Sequence, residues 1–257
     1  MKSGAAGGGG FFDKKGFFWK LLASGLVPVM MAGAYAFMAA TSESDNTGKA
    51  WMALGFVFVL VLWWIFKLTT RTAALARAVS VGDSDRILEL VPAKSAAETR
   101  VYCALAYEMR GAWDEAIATA LEVPRTPRVT AAQRTAAAAI QVGALVEAGR
   151  VGEARTLYAA ELAGVNDPPV VDRSQHEVAR AARLALGRVT WAEGDLDASS
   201  AALERIMRDV RSGAAHRAIA HTYAARIATT RGDAAAATKH RAEAVRLAPA
   251  SWMARSV

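Results

Sequence analysis

Glycines at positions 111, 149, 194 and 232 lie 38, 45 and 38 residues apart, each between two stretches whose apolar residues recur at helical spacing. In RVYCALAYEMRGAWDEAIATALEVP, from Arg100 to Pro124, Val101, Ala104, Leu105 and Met109 give the first stretch one apolar face. Ala116, Ile117, Ala120 and Leu121 do the same for the second. Neither helix can bury its stripe except against a neighbour, so an antiparallel pair is expected. Gly111 suits the turn because a residue leaving a helix often needs positive φ, which glycine adopts without steric cost. Repetition of such a unit predicts an all-α chain of stacked helix pairs rather than one closed globule. A fifth, degenerate junction is expected around Gly82 in VSVGDSDR.

The four junctions read EMRGAWDEA, EAGRVGEA, AEGDLDAS and TTRGDAAAA. With Tyr107 and Ala116 in the first copy, Ala154 in the second, Leu186 and Gly187 in the third, and Ala237, Ala244 and Pro249 in the last, the chain resembles the tetratricopeptide repeat family. That resemblance implies a TPR-like α-solenoid of antiparallel helix pairs and a protein-binding role. Small residues at those places let helix backbones approach closely, and the proline stops the second helix. The family repeat is about 34 residues, shorter than the periods here, so the surplus is expected in the connections PRTPRV (124–129) and GVNDPPVVD (164–172). Ser199 stands where the family prefers alanine.

Ahead of the repeats lie two apolar runs. Leu21 to Ser42 is 22 consecutive uncharged residues, enough for a helix to cross a hydrocarbon core of about 30 Å. Ala50 to Phe66 is a run of 17 between Lys49 and Lys67, whose ammonium groups reach towards the interfaces. Trp19, Trp51, Trp63 and Trp64 sit near the run ends, where indole rings favour the headgroup region. A hairpin over residues 17–70 is expected, preceded by a glycine-rich flexible tail, 1–16, and followed by the repeat domain, 71–257. Lys2, Lys14, Lys15 and Lys20 precede the first run, and Lys67, Arg71 and Arg77 follow the second, whereas the intervening loop has only Lys49. The positive-inside rule then places both termini and the repeats in the cytoplasm, the chain being integral to the inner membrane. The arginine and alanine bias points to a bacterial source. A cleaved signal peptide is the competing account of the first run, with Ala34 and Ala36 as a small-x-small site, but the apolar stretch exceeds the usual core length.

From Arg71 onward there are 25 Lys and Arg against 21 Asp and Glu, interleaved as a solvated helix surface would be. The whole-chain charge of +7 is concentrated at the membrane boundary, so anionic headgroups explain it and no nucleic-acid partner is expected. Cys103 is the only cysteine, and His176, His216, His221 and His240 show no metal-ligand spacing. Neither a phosphate-binding loop nor a nucleophile elbow is present, so neither enzymatic activity nor a cofactor or metal is expected. The acids Asp114, Glu115, Asp195 and Asp197 follow turn glycines, where helix capping accounts for them.

What remains is surface. Carrying the family frame from each turn glycine places Arg188 and Arg226 at one repeat position, with Trp191, Thr222 and Thr229 nearby on the same helix faces. These five residues are the expected groove for a protein partner with an acidic or carboxylate-ended segment, guanidinium groups holding the oxygens. The function expected is a membrane-anchored scaffold that recruits or assembles a complex. An accessory subunit of a transport or secretion complex, and a small-ligand sensor or degenerate enzyme, are the two alternatives.

Overall fold

The computed structural model describes residues 33, 47–91, 97–126, 129–165, 173–209 and 212–255, and every regular element among them is helical. In chain order these are α1 (Thr47–Val81), α2 (Ser84–Leu90), α3 (Ala97–Arg110), α4 (Trp113–Glu122), α5 (Ala131–Glu147) and α6 (Val151–Glu161). A 3-10 turn at Ala163–Val165 precedes α7 (Arg173–Ala192), α8 (Leu196–Arg208), α9 (Ala214–Thr230), α10 (Ala234–Leu247) and α11 (Trp252–Arg255). The contacts divide the chain into two compact units at the boundary between Ala74 and Leu75.

Within the second unit the helices pack in chain order. α3 lies on α4, α5 on α6, α7 on α8 and α9 on α10, while α3, α5, α7 and α9 also contact one another in succession. All five junction glycines take positive φ: 72° at Gly82, 82° at Gly111, 76° at Gly149, 86° at Gly194 and 78° at Gly232. At each of the five, the amide of the following residue bonds the carbonyl five residues before it, as Ala112 does with Tyr107 at 2.9 Å and Asp233 with Ala228 at 2.9 Å. These bonds close the otherwise orphaned carbonyls of the first helix. Asp195 and Asp233 cap the next helix by accepting from the amides of Ala198 (3.0 Å) and Ala236 (2.9 Å). Asp114 and Glu115 instead lie in the first turn of α4, behind Ala112, which makes no side-chain cap.

Small side chains sit where helices cross. Ala116, Ala154, Ala237 and Ala244 are all buried. Ser199 occupies such a place as well, and donates its hydroxyl to the Gly187 carbonyl at 2.6 Å. A Cβ on Gly187 would stand 2.8 Å from Leu203, so the bare backbone there is what lets α8 approach α7. The connections at 124–129 and 164–172 both fall between one helix pair and the next, with parts of each outside the described residues.

The first unit is described chiefly through the part of α1 up to Ala74; the whole helix is 35 residues long, about 52 Å at 1.5 Å per residue. The second apolar run, 50–66, falls wholly within it. By length and composition, Gly55–Val81 is one helix able to cross a membrane. The first run, 21–42, lies outside the described residues except for Gly33, which is helical and buried. A Cβ there would stand 3.1 Å from Cγ1 of Val57. Along α1, Phe56, Phe58, Val59, Trp63 and Phe66 are all more than half exposed. Lys67 folds its ammonium back over the Trp63 ring, 5.1 Å from the centroid.

Candidate functional site

The polar residues of the second unit converge on the successive helices α3, α5, α7 and α9. Arg188, on α7, is 1% exposed and is the largest fully buried side chain among the described residues. Its guanidinium donates to the carboxylate of Glu108 on α3, itself 2% exposed. Such a pair is expensive to desolvate and holds only because each ion cancels the other. Burial pushes the Glu108 carboxyl up, and the pull of Arg188 offsets that in part. Burial opposes the charge on Arg188 too, but attraction to Glu108, Tyr223 and Glu147 outweighs it and keeps the guanidinium protonated. Room for the pair comes from Gly143 in mid-α5, where a Cβ would overlap the Arg188 guanidinium and stand 2.7 Å from Glu108 Oε1.

One helix further along, Arg226 on α9 makes a two-pronged bond to Glu147 at the end of α5: Nη1 to Oε1 at 2.8 Å and Nη2 to Oε2 at 3.1 Å. The Tyr223 hydroxyl donates to the same Oε1 at 2.5 Å. The guanidinium also lies among rings, its Cζ 4.8 Å from the centroid of Tyr223, 5.0 Å from Trp191 and 5.4 Å from Trp252. Trp191 meets Tyr223 edge-on at 5.1 Å, and Trp252 meets Trp113 edge-on at 5.3 Å. Planar cations stack on aromatic faces and grip carboxylates in parallel pairs, so Arg226 uses both properties of its side chain at once.

Of the five residues expected to form a groove, Arg188, Trp191 and Arg226 gather around Tyr223, with the two guanidinium carbons 5.5 and 4.8 Å from its ring. Arg188 lies inside, not on the surface. Arg226 retains 28% side-chain exposure. Thr222 is buried and donates to its own helix at Ala218 O (3.0 Å). Thr229 is exposed, donates to Ala225 O at 2.9 Å and accepts from Arg241 at 3.2 Å.

Sequence reasoning missed Glu108, Glu147, Tyr223, Trp113 and Trp252. A signal existed for Glu108. It falls in register with Val101, Ala104 and Leu105, so it is an acid placed in an apolar stripe and must find an internal partner. Glu147 similarly follows directly on the buried stretch Val142–Val146 of α5.

Away from this centre, α8, α9 and α10 border an open depression of about 650 Å³ lined in part by Glu204, His221, His240 and Glu243. Nδ1 of His221 lies 2.9 Å from Nδ1 of His240. Among the described residues, no three side chains of metal-binding type are grouped to hold an ion. Comparison with known proteins finds no matching family model, no similar curated protein and no similar solved structure.

Proposed function

We propose that this chain is a membrane-anchored, cytoplasm-facing adaptor whose TPR-like array of helix pairs recruits a protein partner at the inner membrane. The observation that carries the reading is the union of two incompatible surfaces in one chain. α1 leaves large apolar side chains such as Phe58 and Trp63 uncovered, whereas α3 to α10 bury their apolar faces against each other. A bare apolar helix face needs lipid or other apolar helices around it. The approach of Gly33 to Val57 supports a hairpin of two spans, since small residues are what allow transmembrane helices to pack closely. Confinement to a bilayer then raises the local concentration of the repeats near membrane partners.

The partner's chemistry is read from the internal carboxylates. Arg226 already holds a carboxylate, that of Glu147, in the two-pronged geometry by which an acidic or carboxylate-ended segment would be gripped. An incoming carboxylate must therefore compete with Glu147 or bind beside it. The open form of the depression beside His221 gives a small-ligand site little enclosure, which favours the adaptor over the sensor reading.

The test is gentle detergent extraction from native membranes, crosslinking and affinity capture of the full chain. A chain lacking residues 1–70 serves as the untethered control. The expected result is one protein recovered in stoichiometric amount with the full chain and much less with the control. Stoichiometric multi-span proteins alone would move the assignment to a transport or secretion subunit. Recovery of the full chain in the soluble fraction, with no partner, would end the adaptor reading.

A further inference from the structure

The single-turn helix α11 follows α10 through the irregular link Ala248–Ser251. A four-residue helix has no stability of its own. Yet Ala248, Ser251 and Met253 are 0% exposed and Trp252 is 7%. What covers them is distant in sequence. A Cβ on Gly82 would stand 3.2 Å from that of Ala248 and 3.3 Å from that of Ser251, and one on Gly111 would stand 3.4 Å from Cβ of Trp252. The Trp252 indole meets Trp113 edge-on at 83°, and the Arg226 guanidinium lies over it. α11 thus touches α3 near the beginning of the repeats and α9 near their end. It is a short segment held almost wholly by other elements, which is how a bound peptide is held.

We propose that the hollow bounded by Gly82, Gly111, Trp113 and Arg226 is a peptide-binding site, that Ala248–Arg255 is its resident occupant, and that the external ligand is a protein segment carrying an aromatic residue followed by an apolar one. This rests on the adaptor reading and adds to it a gate. The aromatic requirement comes from the Trp113 edge and the Arg226 cation, which together recognise a ring. The apolar requirement comes from the full burial of Met253. Nε1 of Trp252 is buried with no acceptor among the described residues, so the resident segment fits imperfectly. A ligand whose ring brings no N–H, or whose N–H meets an acceptor, binds the same hollow better. Tethering sets the resident segment's effective concentration at roughly millimolar, so a free peptide competes poorly while a partner confined to the same membrane competes well.

The experiment uses the full chain in lipid nanodiscs and a fluorescein-labelled peptide of residues 248–257, APASWMARSV, read by anisotropy. Trp252→Ala/Met253→Ala is expected to vacate the hollow and bind the peptide at least tenfold more tightly than the unaltered chain. The same peptide with its tryptophan replaced by alanine is expected not to bind. Hydrogen exchange on the unaltered chain provides a measurement that needs no variant. The amides of 251–255 are expected to exchange by local opening, faster than those of α9 and without dependence on low denaturant. A folded double variant that fails to bind the peptide, or amides of 251–255 that exchange only with global unfolding, overturns the proposal. Partner capture without peptide binding would sink this inference and leave the adaptor reading standing. Peptide binding without any captured partner would do the reverse.

Discussion

Arg188 and Glu108 show what a single buried pair demands of a chain. Each ion is tolerable only in the presence of the other, because an unpaired charge sealed from water costs several kcal/mol. Arg188→Ala is therefore expected to destabilise the second unit by about 3–5 kcal/mol and Glu108→Ala by a similar amount. Arg188→Met combined with Glu108→Leu should recover most of that loss, since an apolar pair of similar volume leaves no stranded charge. Thermal unfolding of the four proteins in one detergent checks this. Single variants as stable as the parent would show that the pair is solvated in practice. The sequence made Arg188 conspicuous but not its partner, 80 residues away. Helical periodicity gives the face a residue occupies and says nothing about which distant helix that face will meet. For that reason Arg188 reads as a groove residue in sequence and lies in the interior in three dimensions.

At the scale of the element, the junctions were the most legible part of the chain, because positive φ is a local demand that glycine meets and other residues resist. All five expected turn glycines adopt it. The replacement costs should nevertheless differ. A Cβ on Gly232 or Gly194 meets open space, so alanine there carries only the backbone penalty, about 1 kcal/mol. At Gly82 the same Cβ also runs into Ala248 and Ser251 at 3.2 and 3.3 Å, and Gly82→Ala should lower the melting temperature clearly more than Gly232→Ala. Equal shifts would show that the segment around Ala248 yields freely. The course of α1 was less legible. Thr69, Thr70 and Thr72 look like the polar end of a span, yet their hydroxyls bond back to helix carbonyls, as Thr70 does to Phe66 at 2.9 Å. That internal satisfaction lets the helix continue to Val81 without a break.

For the molecule as a whole, acid is the condition to which the second unit should be most sensitive. Burial, with the nearby charges of Arg180 and Arg188, lowers half-buried His216 from 6.5 to about 4. Burial and the facing His240 lower His221 from 6.5 to about 4 as well. The native state keeps both rings neutral down to that range, while the unfolded chain takes up protons near pH 6.5. Stability is therefore complete above pH 6.5 and falls as the pH drops from there to about 4. Melting temperatures at pH 7, 5.5 and 4.5 test this, and His221→Gln should flatten part of the slope. A melting temperature that rose on acidification would contradict the sign.

Gly143 ties a third position to the ions at 108 and 188. A larger residue there displaces the guanidinium, and a smaller cation or missing acid leaves a void that a side chain at 143 would need to fill. Drift at these sites is thus expected to be concerted: descendants of this sequence should retain Glu and Arg together, with glycine between them, or exchange both ions for an apolar pair, a side chain at 143 appearing only once the ions are gone, and an alignment holding one ion without the other would show the sites to be independent.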